Sequence, residues 1–401
     1  MGIVKSQWLE QEERGWTDPE TWVCQRCVGD DSHLRHLVRK NLGGATCCSY
    51  CGCKARKAAP VSSIMGSVLH GVMYRYSDEA SAGCPYDKEL VIEYISSRDA
   101  LEQTLDAEGI EWPESLASDV ANSFTNGGWV DAPDGSWMGS HDHERLHWSW
   151  ESFARAVKHQ SRFHFQRKAQ ARSYGDDIVN VHEMLPFLGR LVRKHRIVRK
   201  LQTSVVLKRI REGIHKHSLT DLGPPPPEVA PAGRMNPAGI PYLYLAFDEK
   251  TAIAETRVKP RKMVTVSDWS PTHELRVIDL SKLPECPSVF SNERRRHDMV
   301  QFLYAFSDEI SQPADPQSHA DIHYAPTQVV SEYFAQVFKF SDGQQVDGLI
   351  FNSSLVPTGT NLVLFPRYDD ARAARSVGAF ASMALNLSRS GRVNRRSDAV
   401  I

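Results

Sequence analysis

Six of the eight cysteines in this 401-residue sequence fall between Cys24 and Cys53. Within that stretch Cys24-Gln-Arg-Cys27 and Cys48-Ser-Tyr-Cys51 form two CxxC pairs. A CxxC turn brings two thiolates within reach of one ion, and two such turns complete a tetrahedron around it. Four thiolates leave no open coordination position, so the expected metal is a structural zinc held by Cys24, Cys27, Cys48 and Cys51. Cys47 or Cys53 could replace a neighbour, and His33 and His36 are close enough in sequence to compete. A redox dithiol is the other use of CxxC, but the thioredoxin-like βαβ context it needs is not evident. The basic neighbours Arg35, Arg39, Lys40, Lys54, Arg56 and Lys57 permit contact with nucleic acid or protein, and also suit a solvated face.

A second group of chemically capable residues, Arg155, His159, Arg162 and His164, lies on one predicted helix. An arginine and a histidine with four to six residues between them would suit phosphate chemistry of the HEPN ribonuclease type. Neither Arg155 to His159 nor Arg155 to His164 has that spacing, so the group reads as a polar helix face. His141, His143 and His147 read as surface histidines.

The third constellation is spread over the C-terminal half. Arg209 follows the apolar run Val205-Val206-Leu207, and Arg234 and Asn236 sit in the turn-forming segment Gly233-Arg-Met-Asn-Pro237. Tyr244 closes the next apolar run, and Glu255 lies in a helix that Asp248 can cap. Ser353 and Ser354 follow the apolar run Gly348–Phe351. Guanidinium groups bind phosphate bidentately, and a carboxylate can stabilise a cation. Each of these residues alone has an ordinary structural reading: strand-end charge, core tyrosine, exposed helix carboxylate or turn serine.

The elements expected to position these groups change character along the chain. A zinc-binding segment is expected over 18–58, with Lys54–Pro60 as a link. A helical domain is expected over 62–200, with helices over Asp87–Ser97, Glu144–Phe165 and Val179–Val198, the last open to a kink at Pro186, and a loop over Asn126–Asp142. From about Leu201, β-branched runs at Ser204–Leu207, Tyr242–Leu245, Leu275–Asp279 and Asp347–Phe351 alternate with few helices. The fold class is therefore α+β, with a domain over 201–370. The tail, Ala371–Ile401, carries six arginines and one aspartate and is expected to be a basic, partly disordered segment.

The C-terminal blocks resemble the RES domain. The match runs through Gly233-Arg-Met-Asn-Pro237, Pro241, Leu243-Tyr-Leu-Ala246, Ala252 and Glu255. It continues through Pro326-Thr-Gln328, Glu332-Tyr333, Gly348, Ser353-Ser354, Asn361 and Leu364-Phe365. The upstream CxxC pairs and helices look like the HEPN/RES N-terminal region. The resemblance implies an ADP-ribosyltransferase-like mixed β domain acting on NAD. It assigns Arg209, Glu255 and a serine, Ser353 or its neighbour Ser354, to catalysis, and Arg234, Tyr244 and Asn236 to holding NAD. Ile210 stands where many members carry a tyrosine.

The resemblance further implies an NAD glycohydrolase or NAD phosphorylase, a toxin or defence effector that cleaves the nicotinamide–ribose bond with water or phosphate as acceptor. Cleavage builds an oxocarbenium-like sugar that Glu255 could stabilise, while Arg209 and Arg234 hold the pyrophosphate. A protein ADP-ribosyltransferase using the same site is the alternative, and an RNA-binding or ribonuclease module of the helical and zinc regions is another. NAD loss would call for restraint by an antitoxin or other regulatory protein; a homo-oligomer stays open.

Composition narrows the classes. With 41% hydrophobic and 24% charged residues and a formal net charge of −1, the chain reads as globular rather than as an overall electrostatic nucleic-acid binder. No apolar run approaches the length of a membrane span, and the first residues lack the apolar core of a signal peptide, so the expected setting is cytoplasmic. Gly233-Arg-Met-Asn-Pro237 is not a dinucleotide-binding glycine-rich loop, which argues against a Rossmann dehydrogenase.

Overall fold

A computed structural model describes residues 10–43, 47–52, 57–79, 94–132, 140–164, 178–313, 320–367 and 380–393. The chain divides into two units, one of residues 1–144 with 285–301, the other of residues 145–284 with 302–401. This division differs from the expected linear series of domains, because part of the helical region groups with the C-terminal sheet.

The first unit is built from short helices around one core. β1 (Trp22–Val23) pairs antiparallel with β2 (Ala59–Pro60), so the end of the expected link is a strand. The helix Ser32–Lys40 starts at Asp31, whose carboxylate accepts from the Leu34 N–H at 2.7 Å. The helix Ser62–Arg75 buries Ile64, Met65, Val68, Leu69 and Val72. At Gly71 a Cβ would lie 2.2 Å from the Phe290 ring, so only glycine lets the segment 285–301 approach this helix. Tyr94 and Ile95 are not helical. Ile95 bridges Trp129, and the helix Ser97–Ala107 begins behind the Ser96 cap. The remainder of the helix expected over Asp87–Ser97, including Leu90 and Val91, lies outside the described residues. The loop expected over Asn126–Asp142 contains β4 (Trp129–Asp131), paired with β3 (Tyr76–Asp78).

In the second unit the helix expected over Glu144–Phe165 spans Asp142–His159, its first three residues belonging to the first unit. Phe163 lies beyond its end, 86% exposed, and is not part of the apolar stripe. Trp150 of this helix packs edge-on against Phe306, ring centroids 4.9 Å apart, and donates its Nε1–H to Glu309. The helix expected over Val179–Val198 is shorter, Met184–Lys194. Pro186 sits in its first turn, where a missing N–H breaks no helical bond, so there is no interior kink to explain.

The second unit's sheet has eight strands, β5 (Val198–Leu201), β6 (Leu207–Glu212), β7 (Leu243–Ala246), β8 (Met263–Pro271), β9 (Leu275–Asp279), β10 (Gly348–Asn352), β11 (Thr360–Leu364) and β12 (Met383–Arg392). They lie in the order β12-β8-β6-β7-β11-β10-β9-β5. Pairing is antiparallel except for β9 with β10, so the architecture is α+β with a mixed sheet. The tail expected to be partly disordered supplies β12, which pairs with β8 from Met383 to Arg392 with one bulge between Leu385 and Leu387. Apolar residues at alternate positions, Met383 and Leu385, pack on the sheet's core and let it add to the edge despite its arginines. β6 and β7 share one paired residue, Lys208 with Ala246, whereas β6 and β8 share six. The two central strands therefore diverge. No helix among the described residues is long and apolar enough to cross a membrane.

Candidate functional site

A cleft of about 380 Å³ is lined by β6 through Lys208, Arg209 and Ile210, and by β7 through Tyr244, Leu245 and Ala246. Arg234, Glu255, Tyr324, Phe351 and Asn361 complete the parts of its wall that carry chemistry. Arg209 is not at a strand end, as its sequence neighbours suggest, but in the middle of β6.

Glu255 reaches the cleft from the helix Glu249–Thr256. Asp248 caps that helix, accepting from the Thr251 N–H at 2.8 Å and the Thr251 hydroxyl at 2.7 Å. One Glu255 oxygen, Oε1, accepts from the Ser353 hydroxyl at 2.8 Å and from the Asn361 amide at 2.7 Å. Ser353 is itself held, because its Oγ accepts the backbone N–H groups of Leu355 and Val356 at 3.2 Å. The Glu255 carboxylate is thus oriented by two donors on one oxygen. Ser354 is exposed and makes none of these bonds.

The two arginines present cationic donors to the same space. Nη1 of Arg209 and Nη1 of Arg234 are buried, with no hydrogen-bond partner among the described residues. Burial, and then the neighbouring Arg211 charge, push the Arg209 guanidinium down to about 9. A buried cation without a counter-charge is costly, and a bound anion would relieve that cost. Arg234 lies over the Phe351 ring, 5.6 Å from its centroid.

The segment carrying Arg234 is braced from several sides. Thr327 donates its hydroxyl to the Arg234 carbonyl, and the Gln328 amide donates to the Gly233 carbonyl at 2.8 Å. Asn236 does not line the cleft. Its side-chain amide donates to the carbonyls of Pro231, Pro237 and Ile240, and its Oδ1 accepts from the Tyr244 hydroxyl at 2.8 Å. The residue expected to hold a ligand instead organises the turn. Gly233 must be glycine here, since a Cβ would lie 2.5 Å from Asn236 Oδ1 and 2.8 Å from the Tyr244 hydroxyl. Tyr244 lines the cleft with its hydroxyl committed to Asn236 and to the Met235 N–H; burial pushes its phenol up, so it stays neutral.

Asn361 is the participant to which the sequence assigned no role. Its side-chain type and its place in the last block were visible. Its register opposite Phe351 on β10 and Ala246 on β7 was not, and that register sets it against Glu255.

In the first unit the Sγ atoms of Cys24, Cys27, Cys48 and Cys51 all lie within 4.8 Å of one another. Adjacent pairs are 3.7 Å (Cys24–Cys27), 3.7 Å (Cys27–Cys48) and 3.8 Å (Cys24–Cys51) apart. A tetrahedron with metal–sulfur bonds of about 2.3 Å has sulfur–sulfur edges of about 3.8 Å. The four residues therefore fit a metal ion. Burial alone would raise the Cys24 thiol, but backbone N–H groups at Cys27 and Arg26 and the adjoining thiols bring it down to about 7. Cys47 stays outside the group with its Sγ against the Cys48 carbonyl, and His33 is turned toward Ser67. Cys53 lies outside the described residues. Arg155, His159, Arg162 and His164 do not line the cleft.

Residues 206–386 match the RES domain, and residues 41–171 match the HEPN/RES N-terminal domain 1. The chain thus carries a RES domain behind a HEPN/RES N-terminal domain 1. RES domains are associated with NAD-utilising enzymes and with NAD-related toxins or effectors. No curated protein and no solved structure matches the chain.

Proposed function

We propose that the cleft binds NAD and breaks the bond between nicotinamide and ribose, in the manner of an ADP-ribosyltransferase-like fold, with water or inorganic phosphate taking the ribosyl group. The observation that carries this reading is the meeting of two unpartnered guanidinium nitrogens, on Arg209 and Arg234, with one oriented carboxylate, on Glu255. Guanidinium forks suit a pyrophosphate. As the glycosidic bond lengthens, positive charge grows on the ribose, and an oriented carboxylate stabilises it without reorganising. Ser353 and Asn361 hold one oxygen of Glu255, leaving Oε2 for the substrate. Tyr244 presents its ring as the wall for nicotinamide, and Phe351 keeps Arg234 in place.

The fit of the four thiolates supports a structural zinc, which would tie the N-terminal segment together and take no part in the reaction. NAD loss suits a growth-arresting toxin or defence effector acting in the cytoplasm under the restraint of an antitoxin or other regulatory protein.

The test is product analysis after incubating the purified chain with NAD, with and without phosphate. Nicotinamide release with ADP-ribose or its 1-phosphate is expected, and Glu255→Ala should stop it. Unchanged NAD under both conditions would sink the reading. ADP-ribose found on protein instead would move it to protein ADP-ribosylation.

A further inference from the structure

A second cavity, of about 420 Å³, lies beside the four-thiolate cluster and is lined by Cys24, Gln25, Arg26, Arg39, Leu42 and Lys57. Its three cations come from three places in the chain: the first CxxC turn, the last turn of the helix Ser32–Lys40, and the residues before β2. Arg39 and Lys40 suit that helix's C-terminal dipole, which accounts for one of the three and not for Arg26 or Lys57. Among the described residues, none of Arg26, Arg39 and Lys57 forms an ion pair and no carboxylate lines the cavity.

The sequence around the cavity has the same bias. Val23–Pro60 holds seven lysines and arginines against two aspartates, in a chain whose formal net charge is −1. Both aspartates are occupied at the far end of the helix. Asp31 caps its N-terminus, and Asp30 pairs with Arg35. A divalent metal bound to four thiolates would carry two net negative charges. That offsets part of the surplus but not all of it. The cavity is far larger than one phosphate needs, and exposed Leu42 together with Gln25 gives it a wall suited to a sugar or base.

We infer that this face binds the phosphate backbone of a single-stranded nucleic acid, with Arg26, Arg39 and Lys57 as the phosphate contacts. Arginine forks grip phosphate oxygens, lysine adds a point charge, and neither needs a base sequence. The inference is independent of the NAD reaction, since none of its residues lines that cleft.

The experiment uses the full chain purified with its metal and a fluorescent single-stranded oligonucleotide, RNA or DNA, titrated at several salt concentrations. Binding that weakens steeply with salt is expected. Arg26→Ala/Arg39→Ala/Lys57→Ala should weaken it at least about tenfold and lower the log–log salt slope by about 2, at roughly 0.7 per lost phosphate contact. Nicotinamide release and metal content should be unchanged in that variant, and Glu255→Ala should still bind the oligonucleotide. Should the triple variant shed its metal, Lys57→Ala alone decides the matter through a slope lower by about 0.7. Equal affinity or an equal slope in the variants overturns the inference. So does equal binding of polyglutamate, which would mark the face as one for acidic protein, or full competition by inorganic pyrophosphate, which would mark a small-molecule site.

Discussion

The hydroxyl of Ser353 donates a 2.8 Å hydrogen bond to Oε1 of Glu255 across 98 residues of sequence. This bond joins the end of β10 to the helix after β7. With Asn361 on the same oxygen, it makes the carboxylate a fixed group. Its consequences for rate can be separated from those for binding.

Ser353→Ala and Asn361→Ala should each lower kcat for nicotinamide release by about tenfold to a hundredfold, with KM for NAD changed much less. Removing a donor that acts on the reacting charge costs roughly 1.5–3 kcal/mol. Ser354→Ala should leave both constants unchanged. Steady-state kinetics on the three variants decide it; a larger loss in Ser354→Ala would reverse the assignment of the two serines.

Arg209 carries a trade between stability and binding. Its guanidinium is enclosed without a counter-charge, and burial holds it at about 9. A base whose folded value lies below its unfolded value destabilises the fold at neutral pH, and the penalty is relieved only as pH rises above that folded value. Arg209→Met removes the charge and keeps much of the volume. The ligand-free protein should gain about 1 kcal/mol, raising Tm by roughly 2–4 °C, while KM for NAD rises at least about tenfold. Thermal unfolding and kinetics on the same preparation check both halves. A variant that loses stability would show Arg209 to be paired.

Gly233→Ala should act like a binding mutation, although glycine has no side chain to touch a ligand. The added Cβ forces apart the Asn236 and Tyr244 contact that braces Arg234. A rise in KM with little change in Tm is expected. Unaltered kinetics would show that the turn adapts.

Metal removal should unfold the first unit's N-terminal segment. One metal per chain is expected by elemental analysis. Cys27→Ser or Cys48→Ser should lose it and lower Tm, because binding energy at such sites is folding energy. Cys47→Ser should keep it, since Cys47 stands outside the tetrahedron. Loss of metal in Cys47→Ser would redraw the ligand set.

Asp298 should set a pH limit on the first unit's stability. Burial would raise its carboxyl, but donors from His143 and Tyr74 outweigh that and hold it below its ordinary value of 3.8. A depressed carboxylate stabilises the fold fully above its unfolded value, and the contribution is lost as pH falls through the folded one. Asp298→Asn should therefore cost about 1–3 kcal/mol at neutral pH, with the gap to the parent narrowing only below about pH 4. Denaturation of both proteins over that range tests it. A gap that closed near pH 6 would point to the histidines.

Much of this protein is legible from residue type and local spacing. Two CxxC turns specify a thiolate cluster because four consecutive residues fix the geometry of each turn, and the four sulfurs do converge. Asp248 and the β-branched run Leu275–Asp279 announce a capped helix and a strand because caps and strand-favouring runs are local signals. The blocks around Glu255 and Ser353 announce the family for the same reason, each being a short run. What the chain alone left open was long-range. Whether Ser353 or Ser354 faces Glu255 depends on strand register, where a shift of one residue turns a side chain to the other face. Asn236 had the composition of a ligand contact, but the carbonyls of Pro231, Pro237 and Ile240 satisfy its amide and make it part of the turn. The tail's arginines suggested a solvated segment, yet β8 offers a free edge and backbone pairing does not depend on side-chain charge. The cleft itself exists because β6 and β7 diverge beyond one paired residue, and strand divergence is a property of how distant segments pack, with no signature in either strand's own sequence.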